Sequence, residues 1–466
     1  MTNTNPYLSL DQQITGDIYT SDEAMQVLES LCDEFGSRFG GTEGERQAAD
    51  YIKRKLSEYG LKDVHLEPFE YLGWRRGYTE FSIFEPKQRT LPCISLPHSP
   101  PTDLKGQVFD MGEGFPDDFD KKADQIKDKI VMVSSEMNPK NIKRWVHRME
   151  KYGRSILAGG IGFIFVNHYP GFGPATGGIG IRGKAGPIPG VSLSKEDGAY
   201  LQRLIRKHGT VKIHLKTTDT LEKMTSWNII GDLPGQDNPT QIIMLGSHYD
   251  GHDISQGAVD PASGVASVLE AARVLAKYAH PLPRTLRFCL WGVEEIGLLG
   301  SRAYVEKHQA ELDQIRFYLN MDAAGGADPM DINLHEWPEL QQTFENYQDQ
   351  MNLEFAVGQS FHAASDHFPL LVQGVCTGGI ESVRKSRTGR GYGHTKHDTV
   401  DKVTLLSLRQ AATLASRLAI RIANEAHWPV STRNQDAVAQ LLDSPNMKEV
   451  QEYRDRLDHY LQDQEN

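Results

Sequence analysis

The period of the apolar positions changes along this chain, and the changes divide it into stretches. Residues 1–20 carry no sustained period and read as a loose arm. Ser21 and Asp22 start a helix carrying Leu28 and Leu31, and GSRFGGTEG (36–44) is a glycine-rich turn. A second helix follows from Glu45 to about Tyr59, with Ala48, Tyr51, Ile52 and Leu56 on one face. KDVHLEPFEYLGW then alternates as a strand does. Between 81 and 220 the apolar runs are short and punctuated by Pro, Gly and Asp: TEFSIF, CISLP, GQVFDMG, KIVMVSS, GIGFIFVN, GVSLS and VKIHLKT. Helical stretches at 141–157 and 195–207 interrupt them, so this segment is expected to be an inserted β-rich module acting as lid or spacer.

From residue 225 an α/β rhythm takes over. NIIGDLP and QIIML are expected to pair as a hairpin, and Val265, Val268, Leu269, Ala272, Leu275 and Ala276 mark a helix after the second run. RTLRFCLW is a buried strand, and VEEIGLLGSRAYVEKH after it reads as a helix opening on two glutamates. IRFYLNMD and GVCTGGIES are further strands, and a last long helix runs from Thr404 to about Ala426. The expected class is α/β, a mixed, mostly parallel sheet with helices on both faces plus the inserted β-rich domain. The segments are 1–80, 81–220, 221–430 and a charged tail at 431–466 that is either a packing arm, a homo-oligomer contact or a solvated appendage.

Composition narrows the class of partner. A chain of 466 residues exceeds what one core organises, and a net charge of −12 argues against nucleic acid or an anionic membrane surface. Cys32, Cys93, Cys289 and Cys376 stand far apart and suggest no disulfide framework. Neither a signal peptide nor a bilayer-spanning run is visible, so a cytoplasmic location is expected. The run GGIGIRGKAG lacks the helix and distal acid of a dinucleotide fingerprint and reads as an ordinary loop.

The chemistry collects where strands end. His248 and Asp250 follow one strand and Asp260 lies in the loop beyond; Glu294 and Glu295 follow the next strand, then Asp322, with His394 in a later loop. Singly, each has a plain structural reading: the glutamates could complement a helix dipole and Asp322 could cap a turn. Together they share one edge of one sheet, where open α/β sheets place ligands. Two histidines with three of these five carboxylates, and no cysteine, suit zinc and tolerate cobalt or manganese. Five ligands exceed one tetrahedral ion, but two ions ~3.5–4 Å apart, bridged by a carboxylate, account for all of them.

HYD…GAVDPASG, WGVEEIGLLGS, NMD and GHTKHDT resemble the motifs of the co-catalytic di-zinc exopeptidases, the family of bacterial leucyl aminopeptidases, aminopeptidase Y and the glutamate carboxypeptidases. The likeness is dense over 225–410, and the 81–220 module resembles the protease-associated domain inserted in many members. The resemblance implies the zinc exopeptidase fold, two Zn2+ per chain and a peptide substrate. It makes Asp260 the bridge, with His248 and Asp322 on one ion and Glu295 and His394 on the other. Glu294 would be the general base acting on a metal-bridging hydroxide, Asp250 would orient His248, and Asp398 would serve near His394. His252 and His397 fall at variable positions, so neither is expected to be a ligand.

Where members often carry Tyr before the final His, this chain has Gly393, leaving Tyr392 as the candidate oxyanion contact. Ser365, Asp366 and His367 match a segment lining the substrate pocket, which makes Asp366 a candidate contact. Arg384, Lys385, Arg387 and Arg390 could hold a terminal carboxylate. The EEIGLLGSRAY segment favours an aminopeptidase; a carboxypeptidase or dipeptidase of the same family and a non-catalytic receptor-like protein are the alternatives. Members hold the peptide bond after the bridging acid in the cis form, and Pro261 is expected to reach that geometry at only about 0.5–1 kcal/mol.

Overall fold

The computed structural model describes residues 5–137, 144–181, 183–326, 330–383 and 392–465. The chain divides into two compact units, the first comprising 1–70, 225–393 and 398–441, the second 71–224, 394–397 and 442–466.

The first unit is built on an eight-stranded mixed sheet. Its centre is Asn238–His248, flanked on either side by the parallel strands Arg284–Trp291 and Ile315–Asn320. Thr377–Glu381 continues the parallel order beyond Ile315–Asn320, while Thr220–Leu233 and Asp331–Asn333 pair antiparallel. Because side chains alternate along a strand, the apolar run Ile242–Leu245 feeds both faces. Ile243 and Leu245 pack with the helices Ser263–Val274 and Leu405–Asn424; Ile242 and Met244 pack with Tyr304, Val305 and Leu370 on the other side. Burial on both faces is why this strand reads as a continuous apolar run.

The expected hairpin of NIIGDLP with QIIML does not form. Arg284–Trp291 lies between the two strands, antiparallel to one and parallel to the other. RTLRFCLW is apolar on both faces and can be covered on both, so it competes successfully for the position beside QIIML. Residues 8–20 also differ from expectation: Leu8–Thr20 is a helix with Ile14 and Ile18 buried. Its Asp11 carboxylate accepts from Arg421 Nη1 and Nη2 at 3.1 and 2.8 Å and from Arg417 Nη2 at 3.0 Å, long-range partners that local periodicity does not reveal.

The second unit holds its own eight-stranded sheet, ordered Arg89–Leu91, Thr79–Glu85, Lys212–Thr217, Thr102–Asp110, Ile130–Ser134, Gly162–Val166, Gly190–Leu193, Ile94–Ser95. Helix Arg148–Leu157 begins later than the expected 141. Helix Pro445–Glu465 packs on it, burying Tyr453 and Leu457 beside Tyr152 and Ile156. Arg144 and Arg154 both bridge Glu150 and Glu449 across that contact. The four cysteines are free thiols. Among the described residues no helix is long and apolar enough to cross a membrane.

Candidate metal centre

His248 is the last residue of the central strand and is 1 % exposed. Its Nδ1 lies 3.0 Å from the Asp250 carbonyl, which can only accept, so the neutral ring carries its proton there and points the Nε2 lone pair outward. Nε2 stands 3.2 Å from Asp260 Oδ1 and 3.1 Å from Asp322 Oδ1. A lone pair facing two carboxylate oxygens is repulsive unless positive charge sits among them. Burial disfavours the imidazolium, yet Asp322 and Glu294 still carry the His248 pKa well above its ordinary value. The trio therefore fits a divalent cation, with one imidazole and two carboxylates as donors.

Backbone packing sets the trio. Gly264, at the start of the following helix, is so close to the end of Ile315–Asn320 that a Cβ there would stand 2.0 Å from the Met321 carbonyl and 2.1 Å from that of Asp322. The Asp260–Pro261 bond is cis, as expected from the sequence. Asp398, expected to serve near His394, accepts from the amides of Val259 at 2.8 Å and Asp260 at 3.2 Å. An acid beside a loop satisfies amides that no strand or helix partner reaches.

Asp250 holds more than His248. Its carboxylate accepts the Glu294 amide at 2.9 Å and the Glu295 amide at 3.3 Å, while the side chain is 3.6 Å from His248 Nδ1. The two glutamates thus sit in a turn fixed from below. The expected helix begins only at Leu299, after Val293 and Leu298 take left-handed φ angles of 56° and 59°. Helix-dipole complementation does not explain these acids. Burial pushes the Glu294 carboxyl well up, and Asp322 and Asp366 push the same way against His248.

Contacts that sequence reasoning missed surround the site. Trp291 Nε1 donates to Tyr318 Oη at 2.7 Å, which donates to Asn320 Oδ1 at 2.8 Å. Asn320 Nδ2 donates to Ser365 Oγ at 2.8 Å, and that hydroxyl donates to Asp322 Oδ2 at 2.6 Å. The relay orients Asp322 through the oxygen not facing His248. Asp366, expected to face substrate, is buried and accepts from Ser301 Oγ at 2.6 Å; burial raises its carboxyl to about 7. His252, excluded as a ligand on sequence grounds, is buried with Nε2 2.8 Å from Glu295 Oε2. Its only signal was an imidazole four residues after His248 in the same loop.

Arg38, in the segment read as a glycine-rich turn, pins that loop. Its guanidinium is fully buried and donates to the carbonyls of Tyr249, Leu31, Gly36, Gln256 and Gly257 at 2.7–2.9 Å. Tyr392 packs at the edge of the first unit's core, its ring centroid 6.0 Å from Lys402 Nζ. His394 is grouped with the second unit, where its carbonyl accepts the Thr176 amide at 2.8 Å and its Nδ1 lies 3.4 Å from the Thr176 carbonyl. Arg390, with Arg384, Lys385 and Arg387, lies outside the described residues.

A model of peptidase family M28 matches residues 228–419, and a PA domain model matches 104–201. The chain carries an M28 peptidase domain and a PA domain. Leucine aminopeptidase 2 of Arthroderma otae is 27% identical over 394 residues, covering 78% of this chain and 75% of that one. Carboxypeptidase Q of Mus musculus is 24% identical over 299 residues, and the match spans 63% of each chain. A Peptidase M28 precursor from Shewanella amazonensis superposes with a TM-score of 0.77 at 24% identity over 91% of this chain and 98% of that one. BSAP, a zinc aminopeptidase from Bacillus subtilis, superposes at 0.65 and 24% identity over 88% and 97%. These structures share the fold of the M28 domain, whose metal trio and paired glutamates lie inside the matched range.

Proposed function

We propose that this M28 chain is a zinc-dependent exopeptidase releasing residues from the N-terminus of peptides, with Glu294 as its general base. The observation that carries the reading is the convergence of His248 Nε2, Asp260 Oδ1 and Asp322 Oδ1 beside a glutamate pair whose amides are fixed on Asp250. His248, Asp260 and Asp322 would hold one ion; by resemblance Asp260 would also bridge to a second held by Glu295 and His394. Zinc, when bound, supplies Lewis acidity and lowers the pKa of water toward ~7.

The protein's own part is proton handling. Glu294 would accept a proton from the attacking water and return it to the leaving amine, and burial raises its carboxyl pKa, which strengthens it as a base. The leucine aminopeptidase and zinc aminopeptidase likenesses support N-terminal cleavage. The carboxypeptidase Q match keeps C-terminal or dipeptide cleavage as the second reading.

Purified chain supplied with zinc is to be assayed on an amino-acid p-nitroanilide and on an N-blocked dipeptide. Release from the anilide is expected; cleavage of the blocked dipeptide alone would replace the aminopeptidase reading. Glu294→Gln should cut kcat by ~10²–10⁴ with metal content unchanged. Equal turnover in that variant would remove Glu294 from the chemistry.

A further inference from the structure

A second group of ligating side chains lies in the M28 domain and plays no part in the reading above. His335 follows strand Asp331–Asn333, Glu381 ends the neighbouring antiparallel strand Thr377–Glu381, and His367 opens helix His367–Leu371. One ligand atom from each lies within 4.8 Å of the other two. His335 and His367 are fully buried, their rings stacked with centroids 3.9 Å apart.

The outer partners of these groups leave one donor atom of each turned inward. His367 Nε2 lies 2.9 Å from the His362 carbonyl, an acceptor only, so the neutral ring has its proton on Nε2 and a lone pair on Nδ1. That Nδ1 is buried and meets no hydrogen-bond partner. His335 Nδ1 is 3.0 Å from Thr377 Oγ1, and its Nε2 is 3.1 Å from Glu381 Oε1. Glu381 Oε2 accepts from Asn333 Nδ2 at 3.1 Å. Metal-binding histidines characteristically give their second nitrogen to an oxygen acceptor, and ligating carboxylates are held the same way. His335 takes a left-handed φ of 45°, a conformation that costs energy for a side chain with a Cβ and persists where its surroundings hold it.

We propose that His335, His367 and Glu381 form an additional site for a divalent transition-metal ion of the zinc class. Two imidazoles and a carboxylate with an open fourth position match zinc's preferences. The buried lone pair of His367 gains the cation it lacks, and the His335–Glu381 contact is already at the separation two ligands of one ion adopt. Glu381, 29% exposed at its side chain, gives the ion a way in.

The inference is independent of the peptidase reading, because its test compares metal content between variants. Full-length wild type, His367→Ala, Glu381→Gln and His248→Ala are each loaded with Zn2+, desalted and analysed for metal per chain, with thermal melting as the check on folding. His367→Ala and Glu381→Gln should each hold one ion fewer than wild type, and combining either with His248→Ala should remove more. Folded Glu381→Gln with wild-type zinc content would overturn the site. Wild-type crystals soaked in Zn2+ should show an anomalous peak among the three side chains, and its absence would equally overturn the proposal even if His367→Ala fails to fold.

Discussion

Asp250 serves two strand ends at once: its carbonyl sets the tautomer of His248, and its carboxylate receives the amides of Glu294 and Glu295. Asn at this position would keep the shape but turn an NH2 group toward one of those amides, donor against donor. Asp250→Asn should therefore lose ~10–100-fold in kcat/KM, the usual cost of removing such a support; unaltered kinetics would show that the glutamate turn holds itself. Arg38 is similarly committed, one guanidinium to five carbonyls. Lysine offers three donors from one atom and cannot reach all five. Arg38→Lys should lower unfolding stability by about 2 kcal/mol or more, read from the urea midpoint; a shift under a tenth of that would exclude the clamp. At this scale the sequence was informative where residue type and strand-end position coincide, as for His248, Asp260 and Asp322. It was silent on what Arg38 and Ser365 bind, since most of those partners are carbonyls or side chains distant in the chain. For Asp398 it did not declare the amides of Val259 and Asp260 as partners, because a carboxylate's backbone contacts are set by tertiary geometry.

Among elements, helix Glu43–Glu58 shows how a terminus is secured. Thr42 Oγ1 accepts the Glu45 amide at 3.2 Å, and Glu45 Oε2 accepts the Gly41 amide at 2.6 Å, while Ser226 donates to the other oxygen. Burial pushes the Glu45 carboxyl up to about 8. The folded state thus keeps a proton that the unfolded chain releases near its ordinary carboxylate pKa. Stability from this group is complete below that value and is lost as pH rises from there through about 8. Glu45→Gln, which cannot ionise, should flatten this fall; urea midpoints measured from pH 5 to pH 8.5 should decline less in the variant, and parallel curves would refute the assignment. Periodicity located this helix and most strands of both sheets. It failed for Leu8–Thr20, whose helix depends on Arg417 and Arg421, and for strand order, because apolar runs covered on both faces do not declare their neighbours.

At the level of the whole molecule, each unit is assembled from separated stretches of chain. Tyr453 and Leu457 enter the second unit's core from the helix Pro445–Glu465, against Gly153, where any Cβ would meet both within 2.8 Å. Losing those two side chains forfeits about 3–5 kcal/mol of burial. A chain truncated after Leu441 should be cut by protease within 102–217 at concentrations that spare the full chain, and equal resistance would make the helix dispensable. The same arrangement has a consequence for biosynthesis. The ribosome adds roughly 220 residues between the end of the second unit's main segment at 224 and the helix that covers it at 445. At ~5–20 residues per second that is a wait of roughly 10–45 s. During it Tyr152 and Ile156 present an uncovered apolar face to the solvent or to a chaperone, so the nascent chain, rather than the finished enzyme, is where this fold is most exposed to aggregation.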